Sequence, residues 1–265
     1  MSAFHPNRII TLLTDFGHSD VYAGAMKGVI LSIAPEARIV DLTQGIPPQN
    51  IEVGAMQLAA AAPYFPPGTV HLAVVDPGVG TSRKAIALFE NGHVFVGPDN
   101  GLLTLAAGPK AKGRLLENPR YRLKSVSPTF HGRDLFAPAA AYLSRGVDPA
   151  TLGPAARPKA KLMLPQPYRE NGELVGEVIA VDGFGNVVTN VSAAALRKAF
   201  RDLSGFSVEA RGARIRGLSR TYGDRSSGSL VALIGSAGYL EIAEVNGSAV
   251  QRLGLSPGEK IVLSC

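Results

Sequence analysis

The sequence predicts an α/β sheet domain at the N-terminus followed by a smaller β-barrel domain at the C-terminus. Three observations carry this. Over roughly the first 150 residues, short apolar runs alternate with segments of helical periodicity, the pattern of a largely parallel sheet with both faces covered. Between 154 and 168, Pro154, Pro158, Pro165 and Pro167 stand among basic residues, as in a linker. From Leu174 onward, short β-type runs are separated by turn signals, which marks a small barrel or sandwich. The expected boundaries are an α/β domain over 1–153, a linker over 154–170 and a barrel domain over 171–265.

Residues 8–14 (RIITLLT) form an apolar run closed by Asp15-Phe16-Gly17, which predicts a buried strand ending in a turn. Val21 to Ala34 has apolar residues at helical spacing and stops before Pro35. Ala37 to Leu42 predicts a second strand. Asn50 to Tyr64 is Ala-rich, helical in period and closed by Pro66-Pro67-Gly68. Thr69 to Val75 (TVHLAVV) predicts a third strand, ending at Asp76-Pro77-Gly78. Ala85 to Phe89 and His93 to Val96 are strands joined by the hairpin signal Asn91-Gly92. Leu135 to Arg145 predicts an Ala-rich helix. In the second domain the expected strands are Gly176 to Val181, Asn186 to Asn190, Phe206 to Ala210, Val231 to Ile234, Leu240 to Glu244 and Ile261 to Leu263.

Composition narrows the function class. The 265 residues are 46% hydrophobic and 18% charged, as in a globular protein. Thirty glycines and nineteen prolines imply many tight turns. The single cysteine, Cys265, rules out a disulfide framework within the chain and points to a reducing compartment. No secretory h-region or bilayer-spanning run is evident, so a cytoplasmic protein with no membrane partner is expected. The net charge of +6 raises nucleic acid as a partner. However, the densest basic stretches, Lys110 to Lys124 and Arg211 to Arg225, hold one tyrosine each, Tyr121 and Tyr222. That is too few for a stacking platform; the stretches read as solvated faces, and no nucleic-acid partner is expected.

In open α/β sheets, ligands gather beyond the carboxyl ends of the strands. Two polar turns belong there, Thr14-Asp15-Phe16-Gly17 and Asp76-Pro77-Gly78-Val79-Gly80. A single Asp in such a place is more often a turn cap, but two at equivalent strand ends point to a site. The Gly78-Val79-Gly80 segment lacks the spacing of a dinucleotide fingerprint, and no Walker A sequence occurs, so no phosphate cradle is indicated. Arg83 follows the glycines closely enough to fold back on Asp76. His131, in Phe130-His131-Gly132-Arg133-Asp134, lies in a loop before a helix. In the second domain, Asp182-Gly183-Phe184-Gly185-Asn186 is a tight turn. It is also suited to a purine, because Asn can pair with an adenine edge and Phe184 can stack on the ring. Gly235-Ser236-Ala237-Gly238-Tyr239 is a further candidate loop. Asp15, Asp76, Asp99, His131 and Asp134 also make an unspecific candidate metal cluster, without H-E-x-x-H or C-x-x-C spacing.

Taken in order, these motifs resemble those of the S-adenosylmethionine hydrolases, also called hydroxide adenosyltransferases, which are relatives of the S-adenosylmethionine-dependent fluorinase and chlorinase. The resemblance covers nearly the whole chain. It rests on Thr14 to Gly17, on Val75 to Gly80 with Arg83, on Gly97-Pro98-Asp99-Asn100-Gly101, on Phe130 to Asp134, on Asp182 to Asn190 and on Gly235 to Leu240. It implies an α/β domain joined to a barrel domain, assembly as a homotrimer, and a substrate held between the first domain of one subunit and the second domain of its neighbour. It implies that Asp76, Arg83 and His131 activate water; halogenating relatives lack that full set. It matches Asp15 to the carboxylate that holds the ribose hydroxyls and Asp182 to the amino-acid end of the substrate. It also matches Phe184 and Asn186 to the adenine side and Ser236 to the methionine carboxylate. Asp20, Gly132, Tyr239, Glu241 and Val245 complete the implied substrate contacts. Gly235 is a departure, since relatives often carry Asn there.

The chemistry agrees. The substrate is a sulfonium cation whose displacement at C5′ releases a neutral thioether, so the leaving group needs no general acid. The work lies in holding water in line with the C–S bond and removing its proton. No metal or redox cofactor is required. The competing readings are a metal-dependent phosphoester hydrolase, a non-catalytic sensor of adenosine or S-adenosylmethionine, and a halogenase.

Overall fold

The computed structural model describes residues 4–265, which form two compact units dividing between Leu162 and Met163. The first is built from β1 (Ile9–Thr14), α1 (Tyr22–Ile33), β2 (Arg38–Thr43), α2 (Ile51–Ala61), β3 (Val70–Val74), β4 (Ala85–Glu90), β5 (His93–Pro98), α3 (Thr104–Ala107), β6 (Lys112–Leu115), α4 (Ala137–Ser144) and β7 (Ala155–Ala156). Its seven-stranded sheet runs β2-β1-β3-β5-β4-β6-β7. The four strands from β2 to β5 are mutually parallel, and β4, β6 and β7 extend the sheet antiparallel. β1 and β3 are buried almost throughout, which explains why their sequences are continuous apolar runs. On one face Ile10, Leu12, Val70 and Leu72 pack against Met26 and Ile30 of α1 and against Ala137 and Ala140 of α4. On the other face α2 lies so close that a Cβ on Gly54 would come within 2.9 Å of Leu102 Cδ1 and 3.2 Å of Val75 Cγ2. Because β1 and β3 are parallel neighbours, the turns that follow them emerge at the same edge.

The helix expected from Leu135 starts earlier and in another form. Gly132–Phe136 makes a π turn in which Ala137 N–H donates to Gly132 C=O, and α4 follows it. Pro138 gives the physical reason. It has no N–H to offer the carbonyl of Asp134, four residues back, and that carbonyl instead accepts from Leu123 N–H at 2.9 Å.

The second unit contains β8 (Tyr168–Glu170), β9 (Glu173–Val181), β10 (Val187–Ser192), α5 (Ala193–Ala199), β11 (Ser207–Ala210), β12 (Ala213–Arg216), β13 (Leu218–Ser219), β14 (Leu230–Ile234), β15 (Tyr239–Glu244), α6 (Ala249–Leu253) and β16 (Lys260–Ser264). The order is β12-β11-β16-β9-β10-β15-β14-β13, with β8 added beside β9. β12 comes back against β14, so the sheet curls into a nearly closed barrel. Val178, Val187, Val191, Phe206, Ile242 and Leu263 fill its interior. The sequence did not announce α5 and α6, which are one or two turns long. Each is started by a serine cap, Ser192 and Ser248 respectively. Strands β12 and β13 were also missed, being short and set in a basic stretch.

The segment between the barrel and the first sheet is tied down locally. β7 pairs with β6, Lys159 N–H donates to both oxygens of Asp99, and Leu162 N–H donates to Thr104 Oγ1. Among the described residues no helix is long and apolar enough to cross a membrane.

Candidate active site

The turn after β3 brings three ionisable groups into contact. Arg83 Nε donates to Asp76 Oδ1 at 3.0 Å, and Nη2 donates to Oδ2 at 2.5 Å, a two-pronged pair. The same Nη2 donates to His131 Nδ1 at 3.0 Å. Only 8% of the Arg83 side chain and 5% of the Asp76 side chain are exposed, so water screens neither charge well. The guanidinium also lies over the Phe136 ring, 5.2 Å from its centroid.

The local fold follows from the glycines. Gly78 N–H turns back to the Asp76 carboxylate, and Thr81 caps the turn by donating from Oγ1 to Gly78 C=O. Gly80 sits at φ +77°, where a Cβ would stand 2.4 Å from Pro128 C=O. Only glycine lets the Asp76 turn approach the loop that carries His131. That loop is anchored by buried Asp134, which accepts from Ser127 N–H and from the Arg133 guanidinium. Its pKa is lowered: burial alone would raise it, but these hydrogen bonds outweigh that.

The protonation states follow from the same contacts. Arg83 has only donors, so His131 Nδ1 must offer its lone pair, and the proton of the neutral ring sits on Nε2. Burial and the Arg83 charge both lower the His131 pKa, which favours that neutral form. Burial raises the Asp76 pKa above its ordinary value, opposed by Arg83.

Asp76 and His131 open onto a cleft of about 430 Å³ that is also lined by Asp15, Phe16, Asp20, Tyr22, Phe130 and Gly132. Asp15, at the end of β1, accepts from Gln49 N–H through Oδ2 at 2.8 Å. Phe130 packs edge to face on Phe16 and Tyr22, which are tilted against each other, all at 5.2–5.9 Å between centroids, forming an aromatic wall that the sequence does not announce. Gly132 allows a close approach, since a Cβ there would lie 3.1 Å from Met26 Sδ. The five-residue metal cluster does not come together. Asp99 binds the backbone of Lys159 and Asp134 binds Arg133 and Ser127. Among the described residues no three His, Cys, Asp or Glu converge as metal ligands.

The second unit holds the other candidates in the turn 182–186 and along the turn 235–238 with strand β15 and Val245 after it. Asp182 Oδ1 accepts from Phe184 N–H and Asn186 N–H, and Oδ2 accepts from Asn186 Nδ2, all at 2.9 Å. This holds Phe184 out with 83% of its surface exposed. Glu241 is buried in β15 and accepts from Tyr222 Oη at 2.9 Å. Burial, aided by the charge of Asp182, raises the Glu241 pKa, although the Tyr222 bond pulls it down. Ser236 is exposed on the turn before β15, Tyr239 begins that strand, and Val245 is buried beside Val231 and Ala243 with its N–H donating to Ser229 C=O. Tyr222 was read only as an isolated aromatic in a basic stretch. The signal that could have found it is the capping pattern Thr221-x-x-Asp224, which closes the short turn carrying it.

Known proteins share this plan. Residues 10–153 match the family model described as the SAM hydroxide adenosyltransferase N-terminal domain, and residues 176–262 match that of the C-terminal domain. An (R)-S-adenosyl-L-methionine hydrolase of Thermus thermophilus is 43% identical over 97% of this chain and 99% of its own. A fluorinase of Nocardia brasiliensis is more distant, 27% identical over 94% of each chain. The crystal structure of an uncharacterized conserved protein from Thermotoga maritima superposes with a TM-score of 0.90 at 38% identity, covering 97% of this chain and all of the other. With both family models matched and near full-length relatives well above 30% identity, this chain belongs to the SAM hydroxide adenosyltransferase family.

Proposed function

We propose that this protein hydrolyses S-adenosyl-L-methionine, with the (R) configuration at sulfur, to adenosine and L-methionine. The observation that carries the reading is the bridge by which Arg83 binds Asp76 and His131 at once, at the mouth of a cleft that also holds Asp15. The names of the relatives support the substrate and the use of water.

In this reading the water oxygen attacks C5′ of the ribose. The C5′–S bond breaks with its electron pair going to sulfur, and methionine leaves as a neutral thioether. The water is held by His131 Nε2–H as donor and by Asp76 as acceptor. His131 is not the base, because Nδ1 is committed to Arg83 and Nε2 already carries a proton. Two bonds from Arg83 and one from Gly78 N–H leave the Asp76 carboxylate a lone pair for the water, so Asp76 takes the proton as the C–O bond forms. Its raised pKa makes it a better acceptor than an ordinary carboxylate. Arg83 stabilises the hydroxide character that develops on the water. Asp15 holds the ribose hydroxyls and, with Asp20, favours the sulfonium charge. Gly132 supplies close backbone approach. On the second unit, exposed Phe184 and buried Asn186 receive adenine, while Asp182, Ser236, Tyr239, Glu241 and Val245 surround the rest of the substrate.

The protein works as a homotrimer in the cytoplasm. The division of candidate residues between two compact units supports a site shared by neighbouring subunits. The expected domain limits, 1–153 and 171–265 around a linker at 154–170, belong to the same proposal. Incubation with S-adenosylmethionine of (R) configuration at sulfur in ¹⁸O-water tests the reaction. Adenosine carrying ¹⁸O in its 5′-hydroxyl, with methionine in equal amount, is the expected product. Return of unreacted substrate would reject hydrolysis and favour a sensor; 5′-halogenated adenosine formed on adding halide would favour the halogenase.

A further inference from the structure

We propose that Tyr222 is a positioning residue for substrate recognition. It holds Glu241 in the space beside Gly235, so that this carboxylate and Asp182 together receive the α-ammonium group of the substrate. The proposal rests on the hydrolase reading and extends it to Tyr222, which has no role there.

Glu241 sits in an unusual place for a carboxylate. It is 8% exposed, and its hydrogen bond comes from a neutral donor, Tyr222 Oη. Asp182 likewise accepts only from backbone N–H groups and the Asn186 amide. Among the described residues neither carboxylate forms a salt bridge, although the charge of Asp182 acts on both Glu241 and Tyr222. Buried Glu241 and half-buried Asp182, without a salt-bridge partner among the described residues, favour a cationic ligand. The substrate supplies one next to its carboxylate.

Three features keep Glu241 in place. Asp224 accepts from Arg220 N–H and Thr221 N–H, and Thr221 Oγ1 also bonds it, so the turn presenting Tyr222 is fixed. Burial and the two neighbouring acids push the Tyr222 hydroxyl up to about 12, so it remains a donor at any working pH. Gly235 leaves the space: a Cβ there would stand 1.7 Å from Glu241 Oε1. Gly235 N–H and C=O are already used within the turn, with Tyr239 C=O and Gly238 N–H, so the turn itself cannot easily move away.

The test compares S-adenosylmethionine with the same sulfonium whose α-ammonium is replaced by hydrogen. For Tyr222→Phe, KM for S-adenosylmethionine is expected to rise about tenfold, with a smaller change in kcat, while KM for the deaminated analogue stays put. Tyr222 lowers the Glu241 pKa and Asp182 raises it, so Tyr222→Phe also moves the acid limb of 1/KM to higher pH. Gly235→Ala, which displaces Glu241 without touching Tyr222, is expected to give the same selective loss. Equal rises in KM for both substrates, or no change, overturn the proposal. If the wild type releases no adenosine, the hydrolase reading fails on its own. Calorimetric titration of the two ligands into wild type and Tyr222→Phe then decides the Tyr222 proposal: selective loss of ammonium recognition supports it, and failure of the wild type to bind either ligand overturns it.

Discussion

Arg83 makes the protonation of its two neighbours legible, and that yields a prediction about the base. If Asp76 accepts the proton, Asp76→Asn loses at least about a thousandfold in kcat, because an amide oxygen is not a useful base at neutral pH. His131→Gln keeps an N–H near the position of Nε2 and loses less, on the order of a hundredfold. The pH profile separates the roles. In wild type and His131→Gln, kcat is expected to fall with decreasing pH on an acid limb above the ordinary carboxylate range, as Asp76 is protonated. In Asp76→Asn that limb disappears. An acid limb abolished by His131→Gln would make His131 the base instead. Sequence alone could name these residues only with the help of the family resemblance. Asp76 and Arg83 are seven positions apart, but His131 is 48 beyond Arg83, and nothing local says that it returns. The link from Tyr222 to Glu241 is not legible for a different reason: Glu241 lies 19 residues away, on strand β15.

Elements with long, regular patterns were readable. The apolar runs that became β1 and β3 and the periodic segments that became α1 and α2 lie within a few residues of their expected limits, because burial of a whole strand or one helix face leaves a strong imprint. The π turn was not readable, since it depends on Leu123, a distant residue, taking the carbonyl that Pro138 cannot use. Short strands such as β12 and β13 leave too few residues for any period. At this scale Gly80 is the sharpest test. Gly80→Ala puts a side chain against Pro128 C=O in a backbone conformation that disfavours one. A loss of about 2 kcal/mol in stability is expected from denaturant unfolding. Activity should fall further than stability explains, because the Asp76 turn and the His131 loop are pushed apart. A variant as stable and active as wild type would show that this close approach is not needed.

Across the whole molecule, acid sensitivity has an identifiable source outside the candidate site. His71 is fully buried, bonded to Thr11 and His93 and stacked on Phe95. Burial, with some help from His93, lowers its pKa to about 3. An unfolded chain takes up a proton there near pH 6.5, whereas the folded one does not until about pH 3. Between those values this one group removes about 1.4 kcal/mol of stability for each unit fall in pH. Melting temperature should therefore drop steadily below pH 6.5, and His71→Asn should flatten that slope whatever it does to stability at neutral pH. An unchanged slope would locate the sensitivity elsewhere. The division into two units has a consequence of another kind, best put in genetic terms. The water-handling residues belong to one unit and the candidate adenine and ammonium contacts to the other. If neighbouring subunits share the site, as proposed above, Asp76→Ala and Asp182→Ala are lesions in different halves of it. Each allele alone should be inactive. Co-expressed in equal amounts, they should form mixed trimers in which about a quarter of the sites join two intact halves from neighbouring chains. Two dead alleles would restore each other's activity, which a site built within a single chain does not permit.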